Sequence, residues 1–169
     1  MDLESLVRLR DALKEYNFHH FIFGGWGLDI INGSQTRDHI DADIVIWGME
    51  KERFLKFLER QRCRVWDDGP KLIFGNEFFE GEVIFLKEDG GLCKFEGKYF
   101  TASMPANVLL PFSKARIGNE EFSIGSRELI VKMTSQFSRY PEDRKLADLM
   151  ARQCDKKVMD NIVLERKRK

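Results

Sequence analysis

Apolar positions at the start of the chain return at helical spacing. Leu3, Leu6, Leu9 and Leu13 share one side among charged residues, which predicts an opening amphipathic helix. Phe21-Ile22-Phe23 reads as a short buried strand that stops at Gly24-Gly25. Residues 26–31 predict a short helix, ended by Asn32-Gly33, because glycine readily takes the left-handed turn just past a helix. Residues 34–39 are polar and predict a loop. Residues 40–47 alternate and then turn apolar, as a central strand does.

The second half is more broken. Residues 50–60 predict a helix with Phe54, Phe57 and Leu58 on its inner side. Short strands are expected near 64–66, 72–74 and 82–86, and Asp89-Gly90-Gly91 is a hairpin signal. Residues 94–101 and 116–124 read as further extended pieces around Pro105 and Pro111. Ser126 is placed to cap a helix whose stripe is Leu129, Ile130, Met133 and Phe137. Pro141, followed by Glu142 and Asp143, opens another helix, with Leu146, Leu149 and Met150 on its apolar side. A terminal helix is expected over 156–169. This order predicts an α+β fold: a small mixed β-sheet with helices packed on one side and a helical C-terminal part. The 169 residues suit one domain, with a core at about 15–125 and the helical part at about 126–169.

Composition narrows the class. Hydrophobic residues make up 43% and charged residues 33%, and the 14 Phe argue for a filled core rather than disorder. Lys+Arg and Asp+Glu both number 28, so nothing marks a broadly basic protein, and a nucleic-acid partner is not expected. The run Arg166-Lys167-Arg168-Lys169 reads as a solvated, frayed helix end. Cys63, Cys93 and Cys154 are too far apart for zinc spacing and odd in number, which fits reduced thiols. The acidic start Met1-Asp2-Leu3-Glu4 is unlike a signal peptide, and no apolar run reaches membrane-spanning length. A cytoplasmic protein with no membrane partner is the expectation.

Two features carry chemistry. Strand periodicity puts Asp41 and Asp43 on one face, roughly 6.5–7 Å apart. Carboxylates that close repel, and a divalent cation such as Mg²⁺ relieves the conflict while holding substrate phosphates. Alone, an Asp-x-Asp describes a solvated strand edge as readily. Gly24-Gly25, between a strand and a helix start, lets backbone N–H groups approach phosphates; alone, it is also an ordinary tight turn. Their succession on consecutive strands, which usually pair, sets cradle and carboxylates toward one pocket. A third carboxylate is expected from the strand near 82–86. Periodicity favours Glu82, with Glu80 on the same face if the strand begins sooner.

The residues Gly24-Gly25-Trp26-Gly27-Leu28-Asp29, then Gly33-Ser34-Gln35-Thr36-Arg37-Asp38-His39-Ile40-Asp41-Ala42-Asp43, resemble the aminoglycoside and lincosamide nucleotidyltransferases. These belong to the DNA polymerase β-like nucleotidyltransferase superfamily. The shared pattern is Gly-Gly-Trp, an Asp three residues on, then Gly-x-x-Thr-Arg-x-His-x-Asp-x-Asp. It covers about twenty residues with spacing intact. Beyond Asp43 the similarity is loose: the Glu82 strand, the Asp89-Gly90 turn, and Ser126, Glu128 and Lys132 sit where the family has counterparts. Residues 139–148 match its late helix only in outline.

The resemblance implies a nucleotidyltransferase fold and a set of roles. Asp41 and Asp43 would bind Mg²⁺, and Gly24 and Gly25 would hold the triphosphate of ATP or another NTP. Arg37 and His39 would flank the phosphates or orient the loop. Glu82 would be the third carboxylate, a metal ligand or base, where several branches of the family have Asp. Lys132 would reach a phosphate, although a lysine snorkelling at a core margin is the plainer role. Trp26 faces the core on the ordinary reading, and Asp29 would brace the loop with Arg37. His19-His20 reads as structural or solvated. The implied reaction moves a nucleoside monophosphate to a hydroxyl of a small acceptor. A second Mg²⁺, about 3.5–4 Å from the first, would stabilise the attacking oxygen. The alternative is a nucleotide-binding or vestigial member that senses nucleotide or acts on a protein partner. Little sequence follows Ile124 to wall an acceptor pocket, and a homodimer would supply that wall.

Overall fold

A computed structural model describes residues 1–167. The first helix, α1 (Leu3–Glu15), starts where the Asp2 carboxylate accepts a hydrogen bond from the Ser5 N–H at 2.9 Å. Its stripe Leu6, Leu9 and Leu13 is buried as periodicity predicts. Strand β1 (His20–Phe23) leads directly into α2 (Gly24–Asn32). The expected helix thus begins two residues sooner, at the glycine pair itself, and ends at Gly33 with φ 82°. Next come β2 (Ala42–Trp47), α3 (Lys51–Arg60), β3 (Arg64–Asp67), β4 (Lys71–Gly75) and β5 (Glu80–Asp89). After them are β6 (Leu92–Glu96), β7 (Phe100–Pro105), α4 (Ala106–Leu109), β8 (Ser113–Ile117) and β9 (Glu120–Ile124). The described chain closes with α5 (Arg127–Phe137), α6 (Pro141–Ala151), α7 (Lys156–Asp160) and β10 (Val163–Arg166).

The sheet is mixed and larger than the sequence suggests, with ten strands among the described residues. Its main path runs β10-β7-β6-β5-β2-β1-β9-β8. β5 is long enough to branch. Its first half lies between β2, in parallel, and β4, antiparallel; its end forms a hairpin with β6. That hairpin turns at Gly90 and Gly91, both at positive φ, as the Asp-Gly-Gly signal predicts. Consecutive strands β1 and β2 pair antiparallel, with Phe23 opposite Asp43.

Three local expectations change. The extended pieces over 94–101 and 116–124 each contain a turn, so they are the hairpins β6–β7 and β8–β9. The terminal helix over 156–169 is a single short helix followed by a strand, in which Val163 to Arg166 pair with Ser103 to Phe100. Backbone pairing to β7 overrides the weak helical pattern there. The basic run is therefore not a frayed helix end at Arg166. Arg168 and Lys169 lie outside the described residues.

Alternation divides the sheet into two faces. On one, Phe54 of α3 packs edge-on to Phe74 and Phe85 at 5.6 and 6.4 Å. Tyr16, at the end of α1, meets Phe57 of α3 at 5.1 Å. The other face carries Asp43, Glu82 and Lys71, and Phe137 of α5 approaches that side by stacking on Phe100 at 5.1 Å. A cleft opens between them. No described helix is long and apolar enough to cross a membrane.

Candidate active site

The strand register brings the carboxylates together. β2 and β5 run parallel, with Asp43 opposite Glu82 and Ala42 opposite Gly81. Asp41 stands just before β2, and Glu80 lies one step outside the Ala42–Gly81 pair. Asp41, Asp43 and Glu82 line one cleft of about 350 Å³, whereas Glu80 faces a neighbouring trough that Asp41 also borders.

Electrostatics follow from this crowding. Burial first, then the charges of Asp41 and Glu82, push the Asp43 carboxyl up to about 8. Burial and Glu82 raise Asp41 as well. Lys71 and Arg139 oppose both rises. The Lys71 ammonium pairs directly with Glu82 Oε2. Hard oxygen donors that repel one another on one face suit a Mg²⁺-class cation, which binds a few carboxylates and takes its remaining ligands from water and phosphate. They do not form a finished cage: among the described residues, no three His, Cys, Asp or Glu side chains are grouped to hold an ion by themselves.

The glycine pair fits the carboxylates sterically. Gly24 has φ 64°, and a methyl group there would overlap the Asp43 carboxylate. A Cβ on Gly25 would lie 2.5 Å from Arg37 Nη2 and 2.8 Å from the His39 ring. Only glycine lets the start of α2 approach both strand and loop. The N-cap residue is Phe23, which offers no side-chain cap, so the start of α2, where Phe23, Gly24 and Gly25 line the cleft, keeps backbone N–H groups without a capping side chain, as an anion-attracting helix end does.

Arg37 and His39 brace this arrangement from the loop. The Arg37 Nε and Nη2 donate to the two oxygens of Asp143 at 2.8 Å each, and its Nη1 donates to the Asp38 carbonyl at 2.8 Å. The guanidinium also lies over the Tyr140 ring at 3.8 Å. Burial alone would raise Asp143, but Arg37 and the Ser138 hydroxyl hold it below the ordinary carboxylate range. His39 Nε2 meets Asp29 Oδ2 at 2.7 Å in the interior, and the Thr36 backbone and hydroxyl donate to the same Asp29 carboxylate. Asp29 therefore braces the loop through His39 and Thr36, while Arg37 ties it to α6. Trp26 is buried, with its ring 4.3 Å from that of His39.

Lys132 is elsewhere. Its ammonium donates to the Met159 and Ile162 carbonyls at 2.7 and 2.8 Å, closing the end of α7, and it does not line the cleft. The expectation that it reaches a phosphate is corrected on that ground: its donors are spent on backbone acceptors 27 and 30 residues away. His20 is buried, with its ring nitrogen 2.9 Å from the Phe18 carbonyl, and His19 is exposed.

Sequence reasoning missed four cleft residues: Lys71, Lys98, Arg139 and Asp143. The sequence marks Asp143 only as a helix-start acid. The others carry no local signal: Lys71 and Lys98 reach the cleft through strand register and hairpin placement, and Arg139 through the connection between α5 and α6. Lys98 pairs with Asp68 at 2.9 Å, across two hairpin tips.

The chain matches the model of the aminoglycoside-2''-adenylyltransferase family over residues 5–81. A lincosamide resistance protein of Staphylococcus haemolyticus is 29% identical over 56 residues, which are 33% of this chain and 35% of that protein. The lincosamide antibiotic adenylyltransferase LnuA, solved with lincomycin bound, superposes with a TM-score of 0.70 at 18% identity, covering 88% of this chain and 97% of that one. The solution structure of the antibiotic-resistance factor ANT(2'')-Ia gives 0.69 at 18% identity, covering 91% and 85%. The chain has the α+β nucleotidyltransferase fold and resembles the aminoglycoside and lincosamide nucleotidyltransferases.

Proposed function

We propose that this protein is a Mg²⁺-dependent nucleotidyltransferase that moves a nucleoside monophosphate, AMP from ATP, to a hydroxyl of a small molecule. The observation that carries this reading is the shared rung: Asp43 and Glu82 side by side on parallel strands, Asp41 two residues away, and α2 opening against them at a glycine that yields to Asp43.

Asp41 and Asp43 would hold the divalent cation, which supplies charge neutralisation for the triphosphate. Gly24 and Gly25 would present backbone N–H groups to the phosphates. The acceptor oxygen forms a bond to the α-phosphorus, the α–β bridging bond breaks, and pyrophosphate leaves with the electron pair. Glu82 would receive the hydroxyl proton. Arg37 acts on this site by holding the loop, since Asp143 and the Asp38 carbonyl occupy its polar atoms, while His39 is held through Nε2 by Asp29 with its Nδ1 edge beside Gly25. Catalysis in such a site rests on positioning and charge rather than on covalent chemistry by the protein.

The acceptor side is supported by the trough next to Asp41. It has a volume of about 830 Å³ and is lined by Ile40, Val65, Trp66 and Phe78, with Glu77 and Glu80 alongside. Trp66 is 72% exposed and Phe78 47%, unusual for such side chains unless a ligand covers them. Apolar walls edged by acids and by Arg62 and Arg64 suit an amphipathic, hydroxylated molecule. The named relatives include a lincosamide adenylyltransferase and an aminoglycoside-2''-adenylyltransferase family, so both acceptor classes belong in the test.

Labelled ATP, incubated with Mg²⁺ and a panel of lincosamides, aminoglycosides and protein extracts, is the experiment. Label on a small hydroxylated acceptor with release of pyrophosphate, lost in Asp41→Asn and Asp43→Asn, is expected. ATP binding without transfer to any small acceptor would overturn this reading in favour of a nucleotide-binding or protein-modifying role.

A further inference from the structure

Four cationic side chains line the cleft: Arg37, Lys71, Lys98 and Arg139. Arg37 is spent on Asp143 and Lys98 on Asp68, and Arg139 is exposed and lies over the Tyr140 ring at 4.9 Å. Among the four, Lys71 is the one that forms an ion pair with the clustered carboxylates. It opens β4 immediately after the Gly69-Pro70 turn, and the antiparallel register puts it opposite Ile84 and Ile73 opposite Glu82. Lys71 is thus the diagonal neighbour of Glu82 on the cleft face. Its ammonium contacts Glu82 Oε2, and only 13% of its side chain and 22% of that of Glu82 are exposed. An ion pair so withdrawn from water is costly to break by removing one partner.

Resting on the reading above, we propose that Lys71 is the built-in second cation of this site. Its ammonium holds Glu82 where a second divalent ion would otherwise sit, and leaves Asp41 and Asp43 to bind a single divalent ion.

Charge supports the count. With a divalent ion bound, its two charges balance the two aspartates and the Lys71 ammonium balances Glu82, while Arg139 adds a further positive charge that opposes a second ion. Geometry agrees: Glu82 Oε2 is already in contact with the Lys71 ammonium and is not free to join Asp41 and Asp43 around a second ion. A second divalent ion would have to compete for Glu82 against a tethered ammonium already in contact with it. Lys71 acts through Glu82, so it is a positioning residue. It fixes the position of the Glu82 carboxylate on the cleft face.

Counting bound Mn²⁺ tests this without recourse to turnover. The full chain, Lys71→Met and Lys71→Arg are titrated with Mn²⁺ in the presence of a non-hydrolysable ATP analogue, and free Mn²⁺ is followed by electron paramagnetic resonance. The expected counts are one ion for the native chain, two for Lys71→Met and one for Lys71→Arg. Methionine preserves the packing of the lysine stem, and arginine preserves the charge, so Lys71→Arg controls for any loss of fold in Lys71→Met. Two ions in the native chain, or one in a folded Lys71→Met, would overturn the inference while leaving the proposed function standing. No bound ion in any chain would sink both.

Discussion

Gly24 and Gly33 both have positive φ, yet they predict different consequences when a methyl group is added. At Gly33 the added Cβ meets open space, so Gly33→Ala should cost only the backbone strain, about 1–2 kcal/mol. At Gly24 the same strain is joined by overlap with the Asp43 carboxylate. Gly24→Ala should therefore lower the urea midpoint further and weaken Mg²⁺–ATP affinity, whereas Gly33→Ala should change stability alone. Equal effects of the two on nucleotide affinity would show that Gly24 is only a turn residue. Arg37→Lys tests the loop brace. Asp143 is 2% exposed and accepts both arms of the Arg37 fork, which lysine cannot replace although it keeps the charge, so a loss of about 1.5–3 kcal/mol is expected in chemical denaturation. At this scale the motif residues were legible because their spacing is local, from Gly24 to Asp43. Asp143 and Lys71 were not. The Arg37–Asp143 tie spans 106 residues, and the Lys71–Glu82 pair depends on which strands adjoin β5. Lys132 shows the reverse failure: a basic residue at a plausible position whose ammonium closes a helix end instead.

Elements were legible where their pattern is long or their turn chemistry strong. The α1 stripe and the Gly90-Gly91 hairpin are such cases, as is the glycine stop at Gly33. Short strands paired through distant partners were not. β10 has four residues, and only its ladder to β7 makes it a strand. β1 offers a test through His20, which is buried against the Phe18 carbonyl with its other ring nitrogen unpartnered among the described residues. Burial lowers its pKa from 6.5 to about 4. The unfolded chain then binds the extra proton between those values. Stability is fully present above pH 6.5 and falls as the pH drops toward 4, by on the order of 3 kcal/mol from this group. Urea midpoints at pH 4.5 and 7 should differ less in His20→Leu than in the native chain. An unchanged difference would assign the acid sensitivity to other groups.

At the scale of the whole molecule, the proposed function needs two halves of a reaction site beside one another. The donor half would be the N-terminal motif with β5, readable from residues 24–43 because the motif there is sequential. The acceptor half would be the trough between the β3–β4 hairpin and the loop at Phe78, which the sequence resolved only as short strands. Trp66→Ala should raise the KM for acceptor by about tenfold, corresponding to ~1.4 kcal/mol of lost aromatic packing, and leave ATP affinity unchanged. An unchanged KM would place the acceptor elsewhere. On the proposed function, Asp41 and Asp43 together would hold a divalent ion that carries the nucleotide. Calorimetric titration of ATP into the native chain and into Asp43→Asn, each with and without Mg²⁺, tests it most directly. Mg²⁺-dependent binding is expected in the native chain, with its loss in a variant that melts no lower than the metal-free native protein. Equal Mg²⁺-dependent ATP affinity in the two chains would contradict it.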